Sequence, residues 1–127
     1  MEKRIVKTKQ APAPIGPYNQ AIISNGVVYC SGQVAIDPSS GHFVNENVTV
    51  EAQQVLKNLK AVLNEAGSDF SKVLKCSIFL TSMDDFSVVN EVYKKAFGEE
   101  HAPARETVEV SRLPANARVE ISCIAGI

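Results

Sequence analysis

Apolar residues recur along the middle of the chain with two different periods. Ala52, Val55, Leu56, Leu59, Val62, Leu63 and Ala66 fall three and four apart, the spacing of one helical face. Thr49 is placed to cap that helix with Glu51 in its first turn, and Gly67 ends it. Downstream the period changes to two: Leu74, Cys76, Ile78 and Leu80 take one side while Lys75, Ser77 and Phe79 take the other, which predicts a strand. Thr81 and Ser82 then cap a second helix, with Asp84 and Asp85 near its positive end. Its stripe is Phe86, Val89, Tyr93, Ala96 and Phe97, and Asn90 interrupts it. A buried amide left unpaired costs about 1–3 kcal/mol. Asn90 therefore either holds backbone groups together or looks into a polar cavity.

Strand patterns flank this α-β-α core. Asn25-Gly26 separates two β-rich runs, Ala21 to Ser24 and Val27 to Ser31, and both turn residues tolerate the positive φ of a tight hairpin. The run "AIDPSSGHFVNEN" is a turn-rich loop. Arg4, Ile5, Val6 and Lys7 read as a basic edge strand. Two final strands, Arg105 to Val110 and Arg118 to Ala125, are joined by "SRLPANA". The order β, ββ, α, β, α, β, β, with right-handed crossovers, lays both helices on one face of a mixed sheet. The expected fold is a single α+β domain over residues 1–127, a two-layer sandwich.

Alternation in the last two strands sets Val108 and Val110 against Arg105, Thr107 and Glu109, and Val119, Ile121, Cys123 and Ala125 against Arg118, Glu120 and Ser122. If the helices cover the apolar sides, Arg105, Thr107 and Glu120 project together from the uncovered face, and parity turns Glu106 toward the helices. Tyr29, Phe79, Val27 and Val73 are expected on the uncovered face as well. Such a patch calls for a closed symmetric oligomer that buries it, leaving a cleft with arginine and glutamate at its rim. The alternative is a surface salt bridge between Arg105 and Glu120, worth about 0–1 kcal/mol.

Charge and composition narrow the partners. Thirteen basic against fourteen acidic residues give a net charge of −1, so no global field draws the chain to nucleic acid or an anionic membrane. Apolar runs such as "VVYC" are far short of the roughly 20 residues a membrane span requires. The start "MEKRIVKTKQAP" lacks an apolar signal-peptide core and contains Glu2, which points to a cytoplasmic protein, with a mitochondrial presequence as the alternative. Cys30, Cys76 and Cys123 are odd in number and sit in β-like runs, as reduced, buried thiols do. His42 and His101 lie in loops without ligand spacing, so neither a metal nor another cofactor is called for.

One resemblance spans nearly the whole chain. "APAPIGPYNQAI", "VVYCSGQVAIDPSSG", "QVLKNLKAVLNEAGSDFSKVLKCSIFLTSMDDFSVVNEVY", "PARETVEV" and "LPANARVEISCIA" closely resemble the blocks of the Rid proteins, the reactive intermediate deaminases, and in particular the RidA subgroup. The resemblance implies a homotrimer with a chorismate-mutase-like fold, its three sheets forming a central barrel with ligand clefts between subunits. It further implies hydrolysis of enamine and imine intermediates, such as 2-aminoacrylate, 2-iminopropanoate and 2-iminobutanoate, to 2-keto acids and ammonia. On matching positions the carboxylate-binding arginine is Arg105, the acidic residue is Glu120, the tyrosine is Tyr18, the helix asparagine is Asn90, and Ser31 and Gly32 line the cleft. Glu106 and Thr107 depart from the Ser-Cys or other small pair that often follows the arginine; Thr107 keeps a hydrogen-bonding group but no thiol. In chemical terms, Arg105 fits a carboxylate two-pronged, and Glu120 would orient or deprotonate a water that Thr107 helps to hold. Two other readings stay open: a regulatory protein that binds 2-keto acids without turnover, and a ribonuclease or translation inhibitor, for which the chain has no basic stripe with interleaved aromatics.

Overall fold

A computed structural model describes residues 1–127. Eight main elements follow the expected order: β1 (Arg4–Val6), β2 (Ala21–Ser24), β3 (Val27–Gln33), α1 (Val48–Glu65), β4 (Val73–Leu80), α2 (Phe86–Phe97), β5 (Ala104–Glu109) and β6 (Val119–Gly126). They build one six-stranded sheet in the order β1-β2-β3-β6-β4-β5. Only β4 and β5 run parallel, linked through α2, so the sheet is mixed. Asn25 and Gly26 both take positive φ in the β2–β3 hairpin, as their sequence requires.

The apolar stripe of α1 is buried against the sheet as expected, with Val55, Leu59, Val62 and Leu63 fully enclosed. From the sheet come Val28, Cys76, Ile78, Leu80, Val119, Ile121 and Ala125, and α2 adds Val89 and Tyr93. The three cysteines are free and buried, and they stand side by side: Cys30 pairs with Cys123 and Cys123 with Cys76 across neighbouring strands. Arg105 is next in that row, beside Cys76.

Three local expectations are corrected. The cap of α1 is Asn47, whose side chain accepts from the Val50 amide, two residues before Thr49. Ser82 caps a short 3-10 turn, Met83–Asp85, and α2 proper begins after it. In β4 a register shift between Val73 and Lys75 turns Val73 into the core and leaves Leu74 exposed, because a bulge inserts one residue and reverses the alternation before it. Val73 is therefore absent from the uncovered face. That face does carry a cross-strand row of Ile5, Ile22, Tyr29 and Ile124, with Ile5 61% and Tyr29 49% exposed.

α1 is also tied to the start of β6. Glu51 lies in the helical stripe and is completely buried. Its carboxylate accepts from the Arg118 amide at 2.7 Å, the Val119 amide at 3.3 Å and Arg118 Nε at 2.8 Å. Arg118 thus turns toward the helix instead of joining Glu120 and Ser122. Elsewhere, the buried Gln20 side chain holds the N-terminal segment by donating to the carbonyls of Thr8, Ala11 and Pro12 and accepting from the Thr8 amide.

Candidate active site

Strand β5 has one neighbour, and that pairing decides where its side chains go. In register, Arg105 lies beside Cys76, Thr107 beside Ile78 and Glu109 beside Leu80. Cys76, Ile78 and Leu80 all point into the helix layer, so Arg105 and Thr107 point there too. Glu120 lies beside Phe79 on the other side. The expectation that Arg105, Thr107 and Glu120 share the uncovered face is therefore wrong for the first two. Within one chain, Arg105 and Glu120 stand on opposite sides of the β layer, and the alternative of a salt bridge between them falls as well. Glu106 is also reversed: it sits on the uncovered face, bonded to the Ser77 hydroxyl and 3.1 Å from Lys75 Nζ. Ser77 first, then Lys75, holds the Glu106 carboxyl below its ordinary range.

The physical reason is that the end of α2 beside β5 is open. Asn90 and Arg105 line a cleft there of about 410 Å³, together with Tyr93, Lys94 and the loop 98–103. On an edge strand beside a cleft, the inward side chains need not be apolar. Val108 goes instead to the uncovered face beside Phe79 and is 41% exposed.

One face of α2 grips the guanidinium. Arg105 Nη1 donates to Asn90 Oδ1 at 2.7 Å, which resolves the interruption in the helical stripe in favour of the polar cavity. The guanidinium carbon lies 4.8 Å from the Tyr93 ring centre and 5.7 Å from that of Phe86. Phe86, Asn90 and Tyr93 are spaced i, i+4 and i+7, so they project from one side of the helix, and guanidinium on aromatic faces is a favourable contact. Burial raises the Tyr93 phenol well above its ordinary value, so the ring stays neutral beneath the cation. Thr107 follows along the same side, with its hydroxyl oxygen buried and unpartnered.

The remaining residues gather on the other side. A second cleft, of about 320 Å³, is lined by Ile15, Tyr18, Gly32, Pro114, Ala115 and Glu120 among others. Glu120 packs directly over Gly32: a Cβ built there would lie 2.7 Å from Glu120 Cδ, so glycine at this position leaves the room the carboxylate occupies. Burial raises the Glu120 carboxyl above its ordinary value. Tyr18 accepts from the Ile15 amide through its hydroxyl at 3.2 Å, and the Ser31 hydroxyl donates to the Asn19 carbonyl at 2.6 Å. Ala115, at φ 58° and ψ 23°, holds a left-handed conformation that costs an L-residue about 1–3 kcal/mol.

The sequence-derived residues thus form two half-sites. Asn90 and Arg105 line one, with Thr107 further along the same side of β5; Tyr18, Gly32 and Glu120 line the other, while Ser31, bonded to the Asn19 carbonyl, lies outside its lining. Sequence reasoning missed Phe86 and Tyr93 as partners of Arg105, although their spacing around Asn90 carried the signal. It also missed Glu51 and Asn58, two buried polar residues seven apart on the face that Val55 and Val62 share.

A fold of two helices on a mixed six-stranded sheet, with an arginine in an edge-strand cleft and a glutamate over a glycine on the opposite face, defines a class that comparison with known proteins identifies. Residues 8–127 match the family described as endoribonuclease L-PSP. A RutC family protein of Synechocystis sp. is 52% identical over 126 residues, covering 98% of this chain and 97% of the relative. The human protein named 2-iminobutanoate/2-iminopropanoate deaminase is 43% identical over 123 residues, covering 97% of this chain and 89% of the relative. A solved structure of a Rid-family protein of unknown function from Yersinia pestis superposes with a TM-score of 0.96 at 47% identity, covering 99% of this chain and 100% of that one. The chain belongs to this family, within its reactive intermediate deaminase (Rid) branch of the RidA type.

Proposed function

We propose that this protein hydrolyses 2-imino acids, such as 2-iminopropanoate and 2-iminobutanoate and their enamine tautomers, to 2-keto acids and ammonia, and that it does so between subunits of a homotrimer. The observation that carries the reading is the split site. Each half lacks what the other supplies, since one presents a guanidinium and the other holds an acid without a cationic partner. A chain that keeps Arg105 and Glu120 on opposite sides of its sheet brings them together only when a second copy meets it. The exposed row of Ile5, Tyr29 and their neighbours supplies an apolar surface for that contact, and the names of relatives supply the substrate class.

In this reading Arg105 takes the substrate carboxylate in a two-pronged grip, with Asn90, Phe86 and Tyr93 fixing the plane of the guanidinium. Glu120 of the neighbouring copy takes a proton from water as the water oxygen bonds to the imine carbon. It returns that proton to the nitrogen to give a carbinolamine, then carries the hydroxyl proton to the same nitrogen, and the C–N bond breaks so that ammonia leaves as the carbonyl forms. Thr107 offers its hydroxyl to the water or to the tetrahedral intermediate. Because imines are intrinsically labile, positioning supplies much of the acceleration.

The test couples the protein to a threonine dehydratase and follows 2-ketobutyrate. Arg105→Ala and Glu120→Ala should each abolish the acceleration. Mixed and re-assembled, the two inactive variants should recover about a quarter of the sites, the fraction in which an intact Arg105 faces an intact Glu120 across a heterologous contact. No acceleration by the wild type would reject the enzyme in favour of a keto-acid-binding protein. Acceleration without recovery in the mixture would reject the shared site.

A further inference from the structure

The cleft beside Arg105 contains a second cation that the reaction above does not use. Lys94 stands four residues after Asn90 on α2, so the two project from the same side about one turn apart, about 6 Å along the axis. Both line the cleft, as do Arg105, Ala102 and Pro103. The Lys94 ammonium is already occupied by a carboxylate: Glu99, on the loop that closes the cleft, accepts from Nζ at 2.8 Å. Both partners of that pair line the cleft, so Lys94 presents its charge to a carboxylate at this position. The glutamate is 76% exposed and its partner 52%, so the pair is screened by water and readily exchanged for another carboxylate. The rest of the lining, Tyr93, Gly98, Ala102 and Pro103, brings no further charge to the cleft.

We propose that Lys94 anchors the distal carboxylate of a dicarboxylic substrate, so that the site accepts four- and five-carbon imino diacids, with Glu99 standing in for that carboxylate until substrate displaces it. The inference rests on the deaminase reading for its chemistry, and on the cleft alone for its geometry. A chain of four or five carbons, at about 1.5 Å per bond, spans one helical turn, and the lysine's flexible four-carbon stem adjusts the remainder. With Glu99 displaced, Arg105 and Lys94 present two positive charges to a dianion. A monocarboxylate uses only the first.

Two readouts separate this inference from the function it rests on. In turnover, the ratio of kcat/KM for 2-iminosuccinate to that for 2-iminobutanoate, each generated in situ by an amino-acid oxidase, should fall about fivefold in Lys94→Met, the factor that an ion pair half open to water supplies. Lys94→Arg should retain the ratio, and Glu99→Gln, which removes the competing carboxylate, should raise it. In binding, calorimetry should show 2-oxoglutarate held more tightly than 2-oxobutyrate, with the preference lost in Lys94→Met. If the protein shows that preference and its loss but no turnover, the deaminase reading fails and the anchor stands. If Lys94→Met leaves both the ratio and the binding preference unaltered, or lowers both substrates equally, the anchor is overturned while the deaminase reading stands.

Discussion

Replacing Glu51 tests whether the buried carboxylate is the joint between α1 and the strand that carries Glu120. The side chain is 1% exposed, whereas that of Arg118 is 37% exposed, so the two partners do not lose equally when separated. Glu51→Ala leaves the Arg118 and Val119 amides without their acceptor, each at a cost of about 1–3 kcal/mol when buried. It also leaves a cavity. Arg118 softens the loss, because it can turn to water and still donates to the Asn45 carbonyl at 2.8 Å. Breaking a buried ion pair costs about 3–5 kcal/mol, and the half-open arginine places this case near the lower end, at about 3 kcal/mol. For a chain of 127 residues, each kcal/mol lowers the melting temperature by about 4 °C, so Glu51→Ala should lose about 12 °C. Glu51→Gln keeps the shape and one acceptor but turns an amide donor toward another donor, and should lose about half as much. Both are read by thermal unfolding at one fixed protein concentration, since association shifts the apparent value. A loss under about 4 °C for Glu51→Ala would mean that water or a shifted backbone satisfies the two amides, and the joint would be refuted.

Two further outcomes follow from Glu120. Gly32→Ala meets a flexible side chain and no backbone at short range and its φ is not in the left-handed region, so the fold should lose no more than about 1 kcal/mol while kcat/KM falls at least about tenfold as the carboxylate is pushed aside; activity within twofold of wild type would show that Glu120 has room to spare. The raised Glu120 carboxyl means the folded state holds its proton at pH values where the unfolded chain has released it, so stability declines as pH rises from the ordinary carboxylate value through the raised one. Glu120→Gln should remove that decline in a dissociated variant, read by thermal unfolding across a pH series; a decline of the same size in Glu120→Gln would count against the Glu120 carboxyl as its cause.

What could be read from the chain, and what could not, divides along a physical line. Both helices, the hairpin and the succession of elements along the chain were legible because the elements bury apolar stripes, and periodicity reports burial; the order of strands within the sheet was not. The side of the sheet that β5 shows to the helices was not legible, because alternation states only that Arg105 and Val108 differ. It does not say which of them is inside. The usual rule that the apolar set faces the core fails here for two reasons visible in the structure. The helix side of β5 opens into a cleft, and the other side belongs to a face rich in Phe79, Tyr29 and Ile124. The same limit hid Leu74, since a bulge inverts parity without leaving a mark in composition.

That misassignment bears on how the site works. Had Arg105 and Glu120 shared a face, a single chain would hold both groups within reach, and an arginine beside an unpaired carboxylate would depress that carboxyl. The structure does the reverse. It sets the guanidinium on the aromatic face of α2, keeps it a sheet's thickness from Glu120, and leaves burial alone to raise the acid. Under the proposed shared site, assembly brings a cation to an acid that folding has kept apart from one, and the acid's proton affinity should drop when the copies meet. A carboxyl that titrates higher in a dissociated variant than in the assembled protein, followed by the carboxyl resonance of Glu120 across a pH series, is the expected sign. The same value in both states would mean that Arg105 of one copy never comes near Glu120 of the next.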